Sequence, residues 1–433
     1  MPPLDLALIG LLQQHPTVPS SPMARVTPVF VLEYCWAKDC SSQNIIRGSI
    51  YRLVSDTDNN RDGWNESASL DDLDDIEEDV TVEQELPYVF LEGEVIFSAS
   101  GVSGRDLEDS VVFPHSVELI VNTTFTGEDL LAVGLEAGRA GDFSFVEEVT
   151  FEGQLEFLSD TDNGVLELSE LSYELPLGDR TSLYLSVTGD DMEDFNPVVG
   201  DDALSEFGTE IPIHALMEDY GVQVTHEVLD DLELSLGYFT ADASDPDIGL
   251  FKGNYSAFAQ LGFEPSDAVS LGVTYIYTNN ESSLATETGS TRSQLDLDRS
   301  VIGNSYGVSA AFAPSDRVAV GGWVGTTKAR VLDLGDADIW NYALTLAFPD
   351  LGQEGNVLGF VFGQEPRLTG TSGFTVDDLT RDPDTSFHIE AFYRHQLSDR
   401  LSITPGLIWI TAPDHDRSNP DIGLFTVKTT FEF

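Results

Sequence analysis

The stretch VSLGVTYIY, Val269–Tyr277, sets Val269, Leu271, Val273, Tyr275 and Tyr277 against Ser270, Gly272 and Thr274. Successive side chains of an extended chain point to opposite faces, so this period of two predicts a β-strand with one apolar and one polar face. The stretch before it behaves alike: in Tyr255–Phe263 the apolar face is Tyr255, Ala257, Ala259, Leu261 and Phe263, opposite Ser256, Gln260 and Gly262. Val117–Phe125 places Val117, Leu119, Val121 and Phe125 against Glu118, Asn122 and Thr124. The last segment places Phe425, Val427, Phe431 and Phe433 against Thr426, Lys428, Thr430 and Glu432. Helical periodicity is nowhere sustained.

Segment length separates two kinds of β-protein. Strands of soluble sheets average about 5–6 residues. The segments here run to about 10–13 residues, matching the roughly 9–11 a tilted strand needs to cross a bilayer. Aromatics sit near segment ends, as at Tyr238, Tyr275, Tyr277, Trp340, Phe348, Trp409, Phe431 and Phe433, which suits interfacial girdles. Connections alternate in length: Gly178–Arg180, Asp230–Asp231, Pro265–Asp267, Pro314–Asp316 and Ser398–Arg400 are short. Asp190–Asp219, Ala241–Asn254, Asn279–Ile302, Pro366–Thr385 and Ala412–Asp421 are long. The middling Pro349–Asn356 is an exception on the short side, and a parity switch inside Val165–Leu175 predicts a bulge. The expectation is an all-β, transmembrane, antiparallel up-and-down barrel of about sixteen strands over residues 86–433, because such barrels close with an even number.

Composition agrees. Seventy-six acidic against 20 basic side chains give a formal net charge of −56, which phosphate would repel, so a nucleic-acid partner is excluded. The longest clean apolar run, Leu6–Leu12, is too short for a spanning helix. Cys35 and Cys40 make neither a disulfide scaffold nor a zinc ribbon. Residues 1–85 read as a separate acidic linker segment ending in Asp71, Asp72, Asp74, Asp75, Glu77, Glu78 and Asp79, a run of like charge that favours disorder. Thr27–Tyr34 is one candidate strand there. Met1–Leu12 lacks the basic n-region of an export signal.

Three motifs invite sharper readings. Gly303, Ser305 and Gly307 fit the GxSxG nucleophile pattern, but no helix follows, and glycines spaced along a barrel strand explain it better. Asp58–Gly63 matches half of a calcium loop, yet Ser69 stands where the closing glutamate belongs. Asp162-Asn163-Gly164 is read as a hairpin turn. No HExxH, P-loop, paired CxxC or dinucleotide fingerprint occurs, so no catalytic residue, metal or cofactor is assigned.

The residues expected to matter line a pore. Asp190–Asp219 is the longest connection and carries apolar anchors Phe195, Val198, Val199, Leu204, Phe207 and Ile211, which a solvated loop would not need. Between them lie Asp190, Asp191, Glu193, Asp194, Asp201, Asp202, Glu206 and Glu210. The segment is expected to fold into the lumen, where clustered carboxylates favour cations. His388, Glu390 and Arg394 share one strand face and, with Lys428, are expected to line the lumen, either near the constriction or as a self-satisfied ion pair.

Several long stretches resemble the cyanobacterial branch of the carbohydrate-selective porin family, in the family's order and over roughly Tyr88–Phe433. They are NTTFTGEDLL (Asn122–Leu131), SDPDIGLFKGNYSAFAQLGFEPSD (Ser244–Asp267), AFPDLGQEGNVLGFVFGQEP (Ala347–Pro366), SFHIEAFYRHQLSDRLSITPGLIWITAPDH (Ser386–His415) and NPDIGLFTVKTTFEF (Asn419–Phe433). The resemblance implies an outer-membrane porin for small hydrophilic solutes, carbohydrates or inorganic ions. It also implies contact with outer-membrane lipid and with the barrel-assembly machinery, Phe433 resembling the terminal aromatic that machinery reads and Phe431 sharing its apolar face. A homotrimer or a monomer is expected. The surface-layer-homology domain usual in that branch is not found in residues 1–85. A secreted or wall-associated β-rich adhesin is the alternative.

Overall fold

A computed structural model of the chain describes Pro87–Phe433 apart from 105–110, 140–149, 158–160, 162–163, 189–191, 193–194, 197, 242 and 285. The candidate strand at Thr27–Tyr34, both cysteines, the calcium-type loop and part of the Asp162–Gly164 turn lie outside the described residues.

The strands follow one another as simple hairpins. They are β1 Tyr88–Ser103, β2 (Val111–Val112 continued by His115–Thr124), β3 Leu130–Arg139, β4 Glu167–Pro176, β5 Thr181–Thr188 and β6 Tyr220–Leu229. Then come β7 Leu232–Thr240, β8 Tyr255–Ser266, β9 Val269–Asn280, β10 Val301–Ser315 and β11 Val318–Val331. The last five are β12 Gly335–Pro349, β13 Val357–Ser372, β14 Phe387–Ser398, β15 Leu401–Thr411 and β16 Ile422–Glu432. The interruption in β2 falls at Phe113-Pro114, where proline offers no amide to the ladder, and both pieces pair with β1. Each strand pairs antiparallel with its neighbours and β16 returns to β1, so the sheet has no free edge. This is the expected sixteen-strand barrel. The parity break expected in Val165–Leu175 is a bulge: Gly134 pairs with Glu170, but Leu135 with Leu168.

The faces are inverted relative to a soluble protein. On β9, Val273 is 54% exposed while Thr274 is 4% exposed; on β12, Leu344 is 55% exposed while Thr345 is fully buried. Register joins the outward residues into a band, since Leu261 pairs with Val273, Val273 with Val308 and Val308 with Val324. A closed sheet satisfies its backbone internally, which is what a strand needs to sit in hydrocarbon. Ring contacts link Tyr238, Tyr255 and Tyr277 across β7–β9, and Tyr275 with Tyr306. Among the described residues no helix is long and apolar enough to cross a membrane.

Connections of two to seven residues lie at one end of the barrel. The middling exception at Pro349–Asn356 is there, as the connection 350–356. The other end has two irregularities, 332–334 of three residues and 104–110 of seven, among connections of ten or more. The seam is closed by Phe433, whose amide donates to the Gly93 carbonyl at 3.0 Å and whose carbonyl accepts from the Gly93 amide at 2.9 Å. The Phe433 ring lies over Gly93 where a side chain would stand, and Phe97 meets Phe431 edge-on with ring centroids 6.2 Å apart. Phe433→Asp is therefore expected to reduce the yield of closed barrel, read as loss of the faster-migrating unboiled band in detergent gels. Wild-type yield would show that the seam does not depend on this ring.

Candidate functional site

The barrel does not enclose an empty tube. The connection after β5 turns inward and runs along the inner wall from β8 to β15. Its short helix, Glu206–Thr209, begins at Ser205, whose hydroxyl accepts the Gly208 amide at 3.1 Å, a side-chain cap suited to serine. The wall beneath offers lumen-facing glycines that leave room for the loop's large side chains. Phe195 fills the space a Cβ on Gly272 would take, Ile211 and Ile213 that of Gly307, and Phe207 that of Gly363. Leu204 lies over Gly406 and Asn196 over Gly321, and Asn196 Oδ1 accepts a hydrogen bond from Thr345 Oγ1 at 3.1 Å. Gly307, half of the GxSxG pattern, is thus a seat for the loop, while Ser305 shares a hydrogen bond with Thr327 at 2.8 Å. The apolar core of the molecule sits at this loop–wall seam rather than between sheets.

Polar clamps complete the attachment. Glu390 on β14 accepts the Leu204 amide at 2.7 Å through Oε1 and the Ser205 hydroxyl at 2.5 Å through Oε2. His388 lies 2.7 Å from Glu365 Oε1 through Nδ1 and 3.3 Å from Glu390 Oε2 through Nε2. Glu365 also accepts the Gly153 amide at 3.1 Å and the Thr288 hydroxyl, from two further loops. Arg394 pairs with Asp202.

Above this layer the long loops form a cap. Arg292 in loop 281–300 reaches Asp382 at 3.1 Å and Asp414 at 2.7 Å, from loops 373–386 and 412–421. The Asp414 amide donates to Glu152 in loop 140–166 at 2.6 Å. Burial pushes Asp382 up to about 6 against the pull of Ser290, Leu368 and Arg292. Burial, then Arg367, hold His415 down at about 3, in keeping with its Nδ1 accepting the Ser386 amide at 2.7 Å.

Between loop and cap remains a cavity of about 650 Å³ lined by Glu156, Glu206, Glu210 and Glu287, with Thr209, Thr286 and Thr288. Burial first, then the charges of Glu156, Glu287, Glu365 and Glu210, push Glu206 up to about 8. No aromatic or basic side chain is among its lining residues. No cluster of metal-ligating side chains occurs among the described residues.

The structure redistributes the residues singled out in sequence. Asp190, Asp191, Glu193 and Asp194 lie outside the described residues, and only the backbone of Asp201, in the turn Gly200–Asp202, is described. Glu206 and Glu210 line the cavity, whereas Asp202 is taken up by Arg394. His388 and Glu390 were expected to line the lumen; they face inward, but the loop roofs them and their side chains are 0% exposed. They hold the loop instead of meeting a solute. Lys428 is buried too, 5.3 Å from the centroid of the Phe157 ring. Sequence reasoning missed Glu156, Glu287, Glu365 and Arg292, which lie in two connections and one strand far apart in the chain and carry no shared pattern.

A sixteen-stranded barrel with an outward apolar band, whose longest loop is folded against its inner wall, has the architecture of a porin. The family model "Carbohydrate-selective porin, OprB family" matches residues 81–433, and the chain belongs to that family. It is 31% identical over 384 residues to an uncharacterized protein of Nostoc, covering 79% of this chain and 65% of that one. It is 29% identical over 367 residues to an uncharacterized protein of Synechocystis, covering 77% and 66% respectively. The chain thus spans about two thirds of the length of these curated relatives. Among solved structures it is similar to Pseudomonas putida OprB, at 12% identity and a TM-score of 0.54 over 80% of this chain and 94% of that one. It is also similar to an anion-selective porin from Comamonas acidovorans, at 12% identity and a TM-score of 0.51 over 80% and 100%. At such identities the likeness is one of fold. Family and fold point to a channel rather than an enzyme.

Proposed function

We propose that the chain is an outer-membrane porin that passes small hydrophilic solutes and prefers cations, with the loop 189–219 as its constriction. The carrying observation is the cavity walled by Glu156, Glu206, Glu210 and Glu287 with no basic or aromatic lining residue. Sugar passage would favour aromatic rings to stack on; clustered carboxylates between low-dielectric walls favour hydrated cations. The wall opposite the loop adds to that field. Glu94, Glu118 and Glu136 are direct register partners on β1, β2 and β3, sharing strand faces with buried Ser98, Asn122 and Ala132. Like charges directly opposite destabilise a sheet, so their presence speaks for a role other than stability. The long loops are assigned to the cell exterior, with lipid around the band and insertion by the barrel-assembly machinery. The outward apolar band favours this over the adhesin reading.

The test is reversal potential across a salt gradient in planar bilayers, for the wild type and for Glu206→Gln combined with Glu210→Gln. Cation preference is expected in the wild type and reduced in the variant; no preference in either would overturn the reading. The pH dependence has a definite sign. Glu206, pushed up to about 8, is largely protonated below that value and becomes anionic above it. Cation preference should therefore rise as pH passes through about 8, and Glu206→Gln should flatten the rise.

A further inference from the structure

The buried group Glu365–His388–Glu390 carries more than a self-satisfied ion pair would. Each carboxylate meets the imidazole through one oxygen and uses both oxygens to accept from lumen loops. Glu390 holds loop 189–219 by the Leu204 amide and the Ser205 hydroxyl. Glu365 holds loop 140–166 by the Gly153 amide and loop 281–300 by Thr288. These same three loops supply Glu156, Glu206, Glu210 and Glu287 to the cavity. Two carboxylates this close repel unless a donor stands between them, and an imidazolium donates from both nitrogens.

We propose that His388 is the positioning residue of the channel: by bridging Glu365 and Glu390 it fixes the three loops that set the aperture. It touches no solute, being fully buried with its ring against Phe207 at a centroid distance of 5.1 Å. The other charges around it are the Lys428 ammonium, within electrostatic reach of Glu390, and Glu152 and Glu206, each within reach of Glu365. Without the bridge, the carboxylates push apart and the loops they hold no longer share one arrangement. This rests on the reading of loop 189–219 as the constriction.

The experiment is single-channel recording of the full chain in planar bilayers with three variants. His388→Phe keeps the ring's packing but removes both nitrogens. Glu390→Ala removes the far side of the bridge, and Glu390→Gln keeps an acceptor for the Leu204 amide. Wild type should show one main conductance level. His388→Phe and Glu390→Ala should each show added, larger levels, with on the order of a tenfold rise in time spent outside the main one, the equilibrium factor for losing one charge-assisted hydrogen bond. Glu390→Gln should restore the single level that Glu390→Ala loses. Since the groups act as one unit, His388→Phe combined with Glu390→Ala, as a fourth variant, should be no worse than either single change. A single, wild-type level in His388→Phe would overturn the proposal, because packing alone would then suffice. If His388→Phe gave no heat-modifiable barrel, the smaller His388→Leu, which also lacks both donors and leaves the two carboxylates in place, decides the same question: a single, wild-type level there overturns the proposal. A wild-type channel without cation preference would remove the selectivity reading, while the latch would still stand or fall on these levels.

Discussion

Arg292→Met is expected to release the cap over the cavity. The guanidinium is the shared partner of Asp382 and Asp414, and Asp382 is fully buried. Breaking a buried pair by removing one partner typically costs about 3–5 kcal/mol, because a charge is left without compensation. The cost falls on the attachment of loops 281–300, 373–386 and 412–421 to one another, not on the strand ladder. Limited proteolysis of the reconstituted protein should therefore show new cuts within those loops while the barrel core survives. The effect should also be smaller at pH 5 than at pH 8. Asp382 already stands at about 6 through burial, so in acid it takes a proton and no longer needs the cation. Equal protection of the three loops in variant and wild type would refute this account of the cap.

Phe207→Ala should free loop 189–219 from the wall. The ring is 1% exposed, meets Trp323 edge-on at 5.5 Å and fills the place a Cβ on Gly363 would occupy. Truncating a buried phenylalanine to alanine costs about 3–5 kcal/mol. That approaches the stability of a whole small domain, and here one loop bears it. Loop 189–219 should become cleavable by protease, and conductance should become larger and noisier. Gly363→Leu attacks the same contact from the wall and should act in the same direction. A quiet channel of wild-type size in both variants would show that the loop is held elsewhere.

These effects concentrate where the sequence is least legible. The barrel could be read in advance because its cause is local: period two, segment length and the alternation of short and long connections are properties of neighbouring residues. Even the bulge in β4 showed itself as a change of parity. The inward course of loop 189–219 was legible for the same kind of reason, since Phe195, Leu204, Phe207 and Ile211 need a surface to cover. The two-piece β2 and the three-residue connection 332–334 were not foreseen, since proline at an interrupted stave and one short loop among long ones break the regular rhythm.

The site's inner arrangement was another matter. His388, Glu390 and Arg394 were visible as one polar face, but whether that face meets water or the underside of a loop depends on what the barrel folds over it. Glu365, Thr288 and Gly153 are brought together by closure of the sheet, and Arg292, Asp382 and Asp414 by convergence of three loops at one mouth. By itself the sequence determined the strands, their two faces, the closed barrel and the excess of carboxylate, because side-chain alternation and charge are carried residue by residue. Only the tertiary structure decided which acids line the cavity and which are buried to hold the loops. Burial and partnership belong to positions in space that residues far apart in the chain come to share.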